Sequence, residues 1–134
     1  MATINNIRLI KFPVIEDTRG NLAFIQNDIL PFEFKRIYYL FDVPSNAFRG
    51  GHSHINQDEL LIALSGSFEV TVNDGFQKKS LLLNKPNVGL YISTGIWREL
   101  QNFSSGAVCL VIASDVFDED DYIRDYDEFL KSKG

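Results

Sequence analysis

The segment FEVTVNDGFQKKSLLL, residues 68–83, sets the frame for the whole chain. Apolar and polar residues alternate from Phe68 to Val72, the period of a strand with one buried face, and the run stops at Asn73-Asp74-Gly75. Glycine adopts positive φ without a Cβ penalty, and Asn or Asp tolerates it. The triplet therefore predicts a hairpin turn with antiparallel strands on either side. Segments of the same kind, bounded by turn residues, recur in IRLIKF, NLAFIQ, FKRIYYLFDV, ELLIALSG, VGLYIS, WRELQNF and AVCLVIAS. Short strands in this succession bury their apolar faces as an all-β sandwich or barrel, expected over about residues 3–117. Only the tail changes period. In DEDDYIRDYDEFLKSKG, Tyr122, Ile123, Tyr126, Phe129 and Leu130 recur at helical spacing, with acids first and Lys131 and Lys133 last. That order suits the helix dipole and predicts a short amphipathic C-terminal α-helix over about residues 119–132, its acidic run a solvated face.

A chain of 134 residues with 45% apolar content fits one domain with one sizeable core. The net charge of -5 and the lack of any Lys/Arg cluster argue against a nucleic-acid partner, while leaving room for a local basic pocket. No apolar run approaches the roughly 18 residues a membrane span needs, and the start, MATINNIRLIKFPVIED, has no long apolar leader segment. The expectation is a cytoplasmic protein without a membrane partner. The single cysteine, Cys109, has no internal disulfide partner and reads as a small buried hydrophobe.

Chemistry concentrates in RGGHSHINQDELLIALSG, residues 49–66, which holds both histidines of the chain. On a strand, His52 and His54 point to the same face, so both imidazoles enter one pocket. Such a pair suits metal ligation or acid–base work, with two core histidines held by backbone partners as the plain alternative.

His52-x-His54-x4-Glu59-x6-Gly66 resembles the first motif of the cupins, and NVGLYISTGIWREL is similar to the second. The resemblance implies a double-stranded β-helix, or jelly roll. Where the second motif supplies a ligand histidine, this chain has Arg98, and Ser93 replaces the usual proline. Any His/Glu ligand set would have to be His52, His54 and Glu59, beside a permanent cation that disfavours a divalent metal. No metal and no other cofactor is expected.

Five segments in order, EDTRGNL, PFEFKRIYYLFDV, RGGHSH, NVGLYISTGIWREL and IASDVFDEDDYIRDYDEFL, resemble the nucleotide-sugar 3,4-ketoisomerases, the WxcM-like or FdtA-like cupins. RG-x-H and D-x-RG are also similar to the dTDP-4-keto-6-deoxyglucose 3,5-epimerases. The resemblance implies a dTDP-linked 4-keto-6-deoxyhexose as substrate and its 3-keto isomer as product, later aminated to a 3-amino sugar for a surface polysaccharide. An epimerase-like enzyme, a metal-dependent cupin and a non-catalytic sugar-binding module are the competing readings.

Moving a carbonyl from C4 to C3 requires removing the C3 proton, passing through an enediolate and returning a proton to C4. A neutral imidazole suits that task, which makes His52 the candidate base and His54 its support. In KRIYYLF, period 2 puts Arg36 and Tyr38 on one face and Ile37, Tyr39 and Phe41 on the other. The apolar company of Tyr39 suggests core, so Tyr38 is the candidate acid. Arg19, Arg36, Arg49 and Arg98 are candidate diphosphate contacts, because the planar guanidinium suits bidentate phosphate binding. Trp97 is a candidate stacking partner for base or sugar. Glu59 is given no role, since Asp58 competes for its place. By resemblance to the epimerases, an arginine of D-x-RG reaches the nucleotide of a neighbouring subunit, which implies a homodimer.

Overall fold

A computed structural model describes all residues, 1–134. In chain order its strands are β1 (Arg8–Lys11), β2 (Val14–Asp17), β3 (Gly20–Ala23), β4 (Arg36–Leu40), β5 (Arg49–His54), β6 (Glu59–Ser65), β7 (Phe68–Asn73), β8 (Lys78–Leu83), β9 (Val88–Ile92), β10 (Trp97–Gln101), β11 (Val108–Ala113) and β12 (Tyr122–Ile123), followed by α1 (Tyr126–Ser132). One sheet runs β1-β9-β6-β11-β4, the other β12-β5-β10-β7-β8, and β2 pairs only with β3. Every pairing is antiparallel. This is the expected all-β jelly roll.

The alternation seen in the sequence decides what lies between the sheets. Phe68, Val70 and Val72 of β7 are fully buried there and meet Leu61, Leu90, Ile92 and Val111 of the opposite sheet. At the predicted hairpin, Asn73 pairs with Lys78, and Gly75 takes φ +95°, a conformation that favours glycine. Strand β6 reads as continuously apolar because both of its faces are covered. Leu61 and Ala63 face the inter-sheet core, while Leu60 and Ile62 pack outside it with Phe12, Leu30 and Ile112. Cys109 is fully buried in the core, as expected, and burial pushes its thiol up.

Two expectations change. Tyr39 is not core: β4 is the edge strand of its sheet, and Ile37 and Tyr39 point outward with Phe41, each at least half exposed. Their apolar character belongs to an outer surface. The helix is also shorter than residues 119–132. Glu119–Asp121 form a 3-10 turn capped by Asp118, Tyr122–Ile123 pair as a strand with β5, and α1 begins only after its N-cap Asp125. Tyr122 and Ile123 carry helical spacing in sequence, but cross-strand pairing with His54 and Ser53 uses them as extended backbone. The Lys133 ammonium pins the end of this C-terminal arm, donating to the carbonyls of Ala2 and Gly95, both at 2.8 Å. No helix is long and apolar enough to cross a membrane.

Candidate active site

The last residues of β5 bring both histidines to the inner face, at one end of the inter-sheet space. Their Nε2 atoms lie 3.0 Å apart, with the rings edge to face. On the neighbouring strand β10, Arg98 is the register partner of His52; on the other side, Tyr122 of β12 is the partner of His54. The Tyr122 ring packs on both imidazoles, with centroids 4.9 and 4.5 Å away. Behind His54, Asp121 Oδ2 accepts from Nδ1 at 2.8 Å, while Oδ1 accepts the backbone N–H of Asn56.

The opposite sheet contributes a carboxylate and a phenol. Glu59, left without a role on sequence grounds, is the junction of the site. Its Oε1 accepts from Arg98 Nη1 at 2.5 Å, and its Oε2 accepts from Tyr38 Oη at 2.7 Å and from Gln57 Nε2 at 2.9 Å. Period 2 resolves the competition with Asp58. Glu59 shares the inward face with Leu61 and Ala63, whereas Asp58 accepts from the backbone N–H of Thr94.

Burial sets the ionisation of these groups, and the buried cation adjusts it. Burial, with Arg98 and His54 adding to it, holds His52 well below the ordinary histidine value, so the ring is neutral throughout the physiological range. For Glu59 burial alone would raise the carboxyl; the His54 ring edge and the Arg98 guanidinium outweigh it and hold Glu59 below the usual carboxylate range. Burial first, then the Glu59 charge, pushes Tyr38 far above the ordinary phenol value, so its hydroxyl keeps its proton.

In front of His52 and Glu59 opens a cavity of 370 Å³, large enough for a small ligand. Its wall carries four guanidiniums, Arg36, Arg49, Arg98 and Arg124, against one carboxylate, Glu59. A strongly cationic pocket therefore sits inside a chain of net charge -5. A protein-family model described as FdtA, WxcM-like, C-terminal, matches residues 5–134. The chain belongs to the FdtA family.

A TDP-4-oxo-6-deoxy-alpha-D-glucose-3,4-oxoisomerase from Aneurinibacillus thermoaerophilus is 43% identical over 125 residues, which are 92% of this chain and 90% of that protein. Among solved structures, a 3,4-ketoisomerase from Helicobacter canadensis superposes with TM-score 0.93 at 46% identity, over 96% of this chain and 97% of that one. The 3,4-ketoisomerase QdtA from Thermoanaerobacterium thermosaccharolyticum, solved as a histidine-to-asparagine variant with TDP-4-keto-6-deoxyglucose, gives TM-score 0.95 at 41% identity, over 98% and 96% of the two chains. A dTDP-4-dehydrorhamnose 3,5-epimerase from Bacillus anthracis, at 13% identity and TM-score 0.79 over 91% of this chain and 79% of that one, shares the fold.

Within this FdtA-family site, the structure gathers His52, His54, Tyr38, Arg36, Arg49 and Arg98 around one end of the barrel. Tyr38, not Tyr39, faces the cavity. Arg36 lies over the Tyr38 ring and donates to Gln57. Trp97 stands outside the cavity wall, on the outer face of β10, where it packs against Tyr126 and Phe129 and donates to Glu99. Arg19, 89% exposed, forms an ion pair with Asp17 at the β2–β3 turn and is not part of the cavity wall. Asp121, Tyr122 and Arg124 went unread in the sequence. Arg124 lies 4.2 Å over the Tyr122 ring and is held by Glu119 at 2.7 Å.

The family's fold raises the question of a cupin metal. One ligand atom each from His52, His54 and Glu59 lies within 4.8 Å of the others. The donor set nevertheless fits a divalent metal poorly: Glu59 already accepts from Arg98, Tyr38 and Gln57, and the Arg98 cation would oppose a second one in the same buried space.

Proposed function

We propose that this FdtA-family enzyme moves the ketone of a TDP-linked 4-keto-6-deoxyhexose from C4 to C3 without a metal. His52 carries the proton between the two carbons and Tyr38 carries it between the two oxygens. The observation that supports this reading is the neutral His52 ring opening onto a cavity that also holds the protonated Tyr38 phenol and a wall of arginines. The ketone at C4 acidifies the C3 hydrogen. His52 takes that proton while the C4 oxygen gains one from Tyr38, giving an enediol. The C3 hydroxyl then returns a proton to the Tyr38 oxygen as the C3 carbonyl forms, and the His52 imidazolium delivers its proton to C4. Every proton is returned, so neither redox cofactor nor water is consumed.

The guanidiniums divide the remaining work. Arg98, opposite His52, stabilises negative charge as it develops on the sugar oxygens, and Arg36, Arg49 and Arg124 suit the diphosphate. A base held well below its ordinary value is always unprotonated on arrival of substrate. It gains basicity as negative charge develops on the sugar oxygens in the transition state.

The protein is read as a cytoplasmic homodimer. Two features support the dimer: the exposed apolar edge strand β4, and the β2–β3 hairpin, whose residues are mostly exposed and which pairs with neither sheet. In a dimer, Arg19 at the hairpin turn reaches the nucleotide in the neighbouring subunit. Incubation with TDP-4-keto-6-deoxyglucose in deuterated water, followed by proton spectra, tests the reaction. Migration of the ketone to C3 supports the reading, and an unchanged spectrum overturns it.

A further inference from the structure

The buried groups behind the catalytic cavity form a line, Asp121 to His54 to His52, that ends at the cavity. Asp121 comes from the 3-10 turn of the C-terminal arm and meets His54 across 67 residues of sequence. As a carboxylate it only accepts hydrogen bonds. Its Oδ1 takes the Asn56 N–H, and its Oδ2 takes the proton on His54 Nδ1. His54 Nε2 then faces His52 Nε2 at 3.0 Å, a distance at which one proton lies between the two nitrogens. Glu59 Oε1 lies 3.5 Å from His54 Nε2, farther off than His52 Nε2, and is already taken by Arg98.

With the Nδ1 proton of His54 held by Asp121, the geometry makes His54 Nε2 the acceptor and gives the shared proton to His52 Nε2. The remaining ring nitrogen of His52, Nδ1, is left with a lone pair. It has no hydrogen-bond partner in the protein, and it is not among the buried polar atoms that lack one, so it opens to the cavity. We propose that Asp121 is a positioning residue for proton transfer: through His54 it fixes the His52 tautomer so that Nδ1 is the bare nitrogen facing the substrate. When Nδ1 takes the C3 proton, the imidazolium donates from Nε2 into His54, and the Asp121 carboxylate at the far end of the line faces the new charge. The proposal rests on His52 being the base.

Replacing Asp121 by Asn should invert the line. The Asn oxygen still accepts from Asn56, but its NH2 donates to His54 Nδ1. That moves the His54 proton to Nε2 and the His52 proton to Nδ1, which blocks the base. Replacing Asp121 by Ala removes the constraint without imposing the wrong one. A purely structural role predicts the opposite ranking, with the near-isosteric Asn milder than Ala.

The chain has two histidines, so the histidine 15N–1H correlation spectrum of untagged protein contains two rings and reads both tautomers directly. The expected wild-type spectrum shows a protonated Nδ1 on His54, with a protonated Nε2 and a bare Nδ1 on His52. D121N is expected to reverse both and to lower kcat at least about 100-fold, the scale of general acid–base catalysis, with KM nearly unchanged and D121A less affected. A wild-type spectrum with the proton on His52 Nδ1 overturns the proposal even if the variants fail to fold. So does a D121N enzyme with wild-type kcat. If His52→Asn keeps turnover, the base reading fails and the spectrum still stands; if His52→Asn is dead but the tautomers are reversed, only the Asp121 relay fails.

Discussion

Arg98 Nη1 stands 2.5 Å from Glu59 Oε1, with each side chain 1% exposed, and the pair bridges the two sheets at the wall of the cavity. A charge this deeply buried persists only because its partner is present. Arg98 also donates to the Ile96 carbonyl, and Glu59 accepts from Tyr38 and Gln57, so the ion pair lies within a hydrogen-bonded network.

Removing either partner should therefore cost more than a surface ion pair would. Arg98→Met and Glu59→Met are each expected to lower stability by about 3–5 kcal/mol, and the double variant by less than the sum. Urea denaturation of the four proteins measures the coupling; additive losses would refute it.

His52→Asn should abolish turnover while leaving thymidine diphosphate binding in place. The expected loss in kcat is about 100-fold to 10,000-fold, the range for a positioned base. Calorimetric titration with thymidine diphosphate checks binding, and deuterium incorporation at C4 checks proton transfer.

Tyr38→Phe deletes the proposed oxygen-side proton carrier and keeps the ring under Arg36. Turnover should fall about 100-fold or more, with a stability loss of only about 1 kcal/mol, because Gln57 still donates to the same Glu59 oxygen. A large fall in melting temperature with activity preserved would assign Tyr38 to structure alone.

Acid should destabilise the fold in two stages. Burial and Arg98 hold His52 below its ordinary 6.5, so as the pH drops under that value the unfolded chain takes up a proton that the folded chain refuses. Stability is full above pH 6.5 and declines below it. Glu59, held below its ordinary 4.5, adds a second decline under that pH. Melting temperatures across this range should bend near both values, and His52→Asn should remove the upper bend.

Arg19→Ala tests the neighbouring-subunit contact. The side chain is 89% exposed, so the melting temperature should not move, whereas KM for the nucleotide sugar should rise about tenfold if a phosphate contact is lost. Analytical ultracentrifugation of the same samples checks for the dimer; a monomer with full activity would contradict it.

Much of this was legible in the chain because strands write themselves in period 2. The hairpin at Asn73-Asp74-Gly75, the shared face of His52 and His54, and the pairing of Tyr38 with Arg36 follow from alternation alone. Tyr39 misled because an apolar residue on an edge strand looks the same as one in a core. Glu59 and Asp58 are adjacent in sequence, and only the register of β6 with its neighbours decides which turns inward. Asp121 and Tyr122 were hidden more deeply: an acid-rich stretch before a helix reads as a helix start, and nothing local announces a partner 67 residues away.

The C-terminal arm also dictates when the site comes into being. Residues 118–133 are synthesised after every strand of the two five-stranded sheets except β12, which the arm itself carries. The barrel, with its pairings from β1 to β11, can close before Asp121 and Tyr122 reach the histidines. Long-range closures of this kind form slowly. A nascent barrel without the docked arm would hold a cavity and a phenol but an imidazole pair with no carboxylate behind it. Competence for proton transfer would then mark the final folding event, and the appearance of activity during refolding should lag behind burial of the inter-sheet core around Phe68, Val70 and Val72.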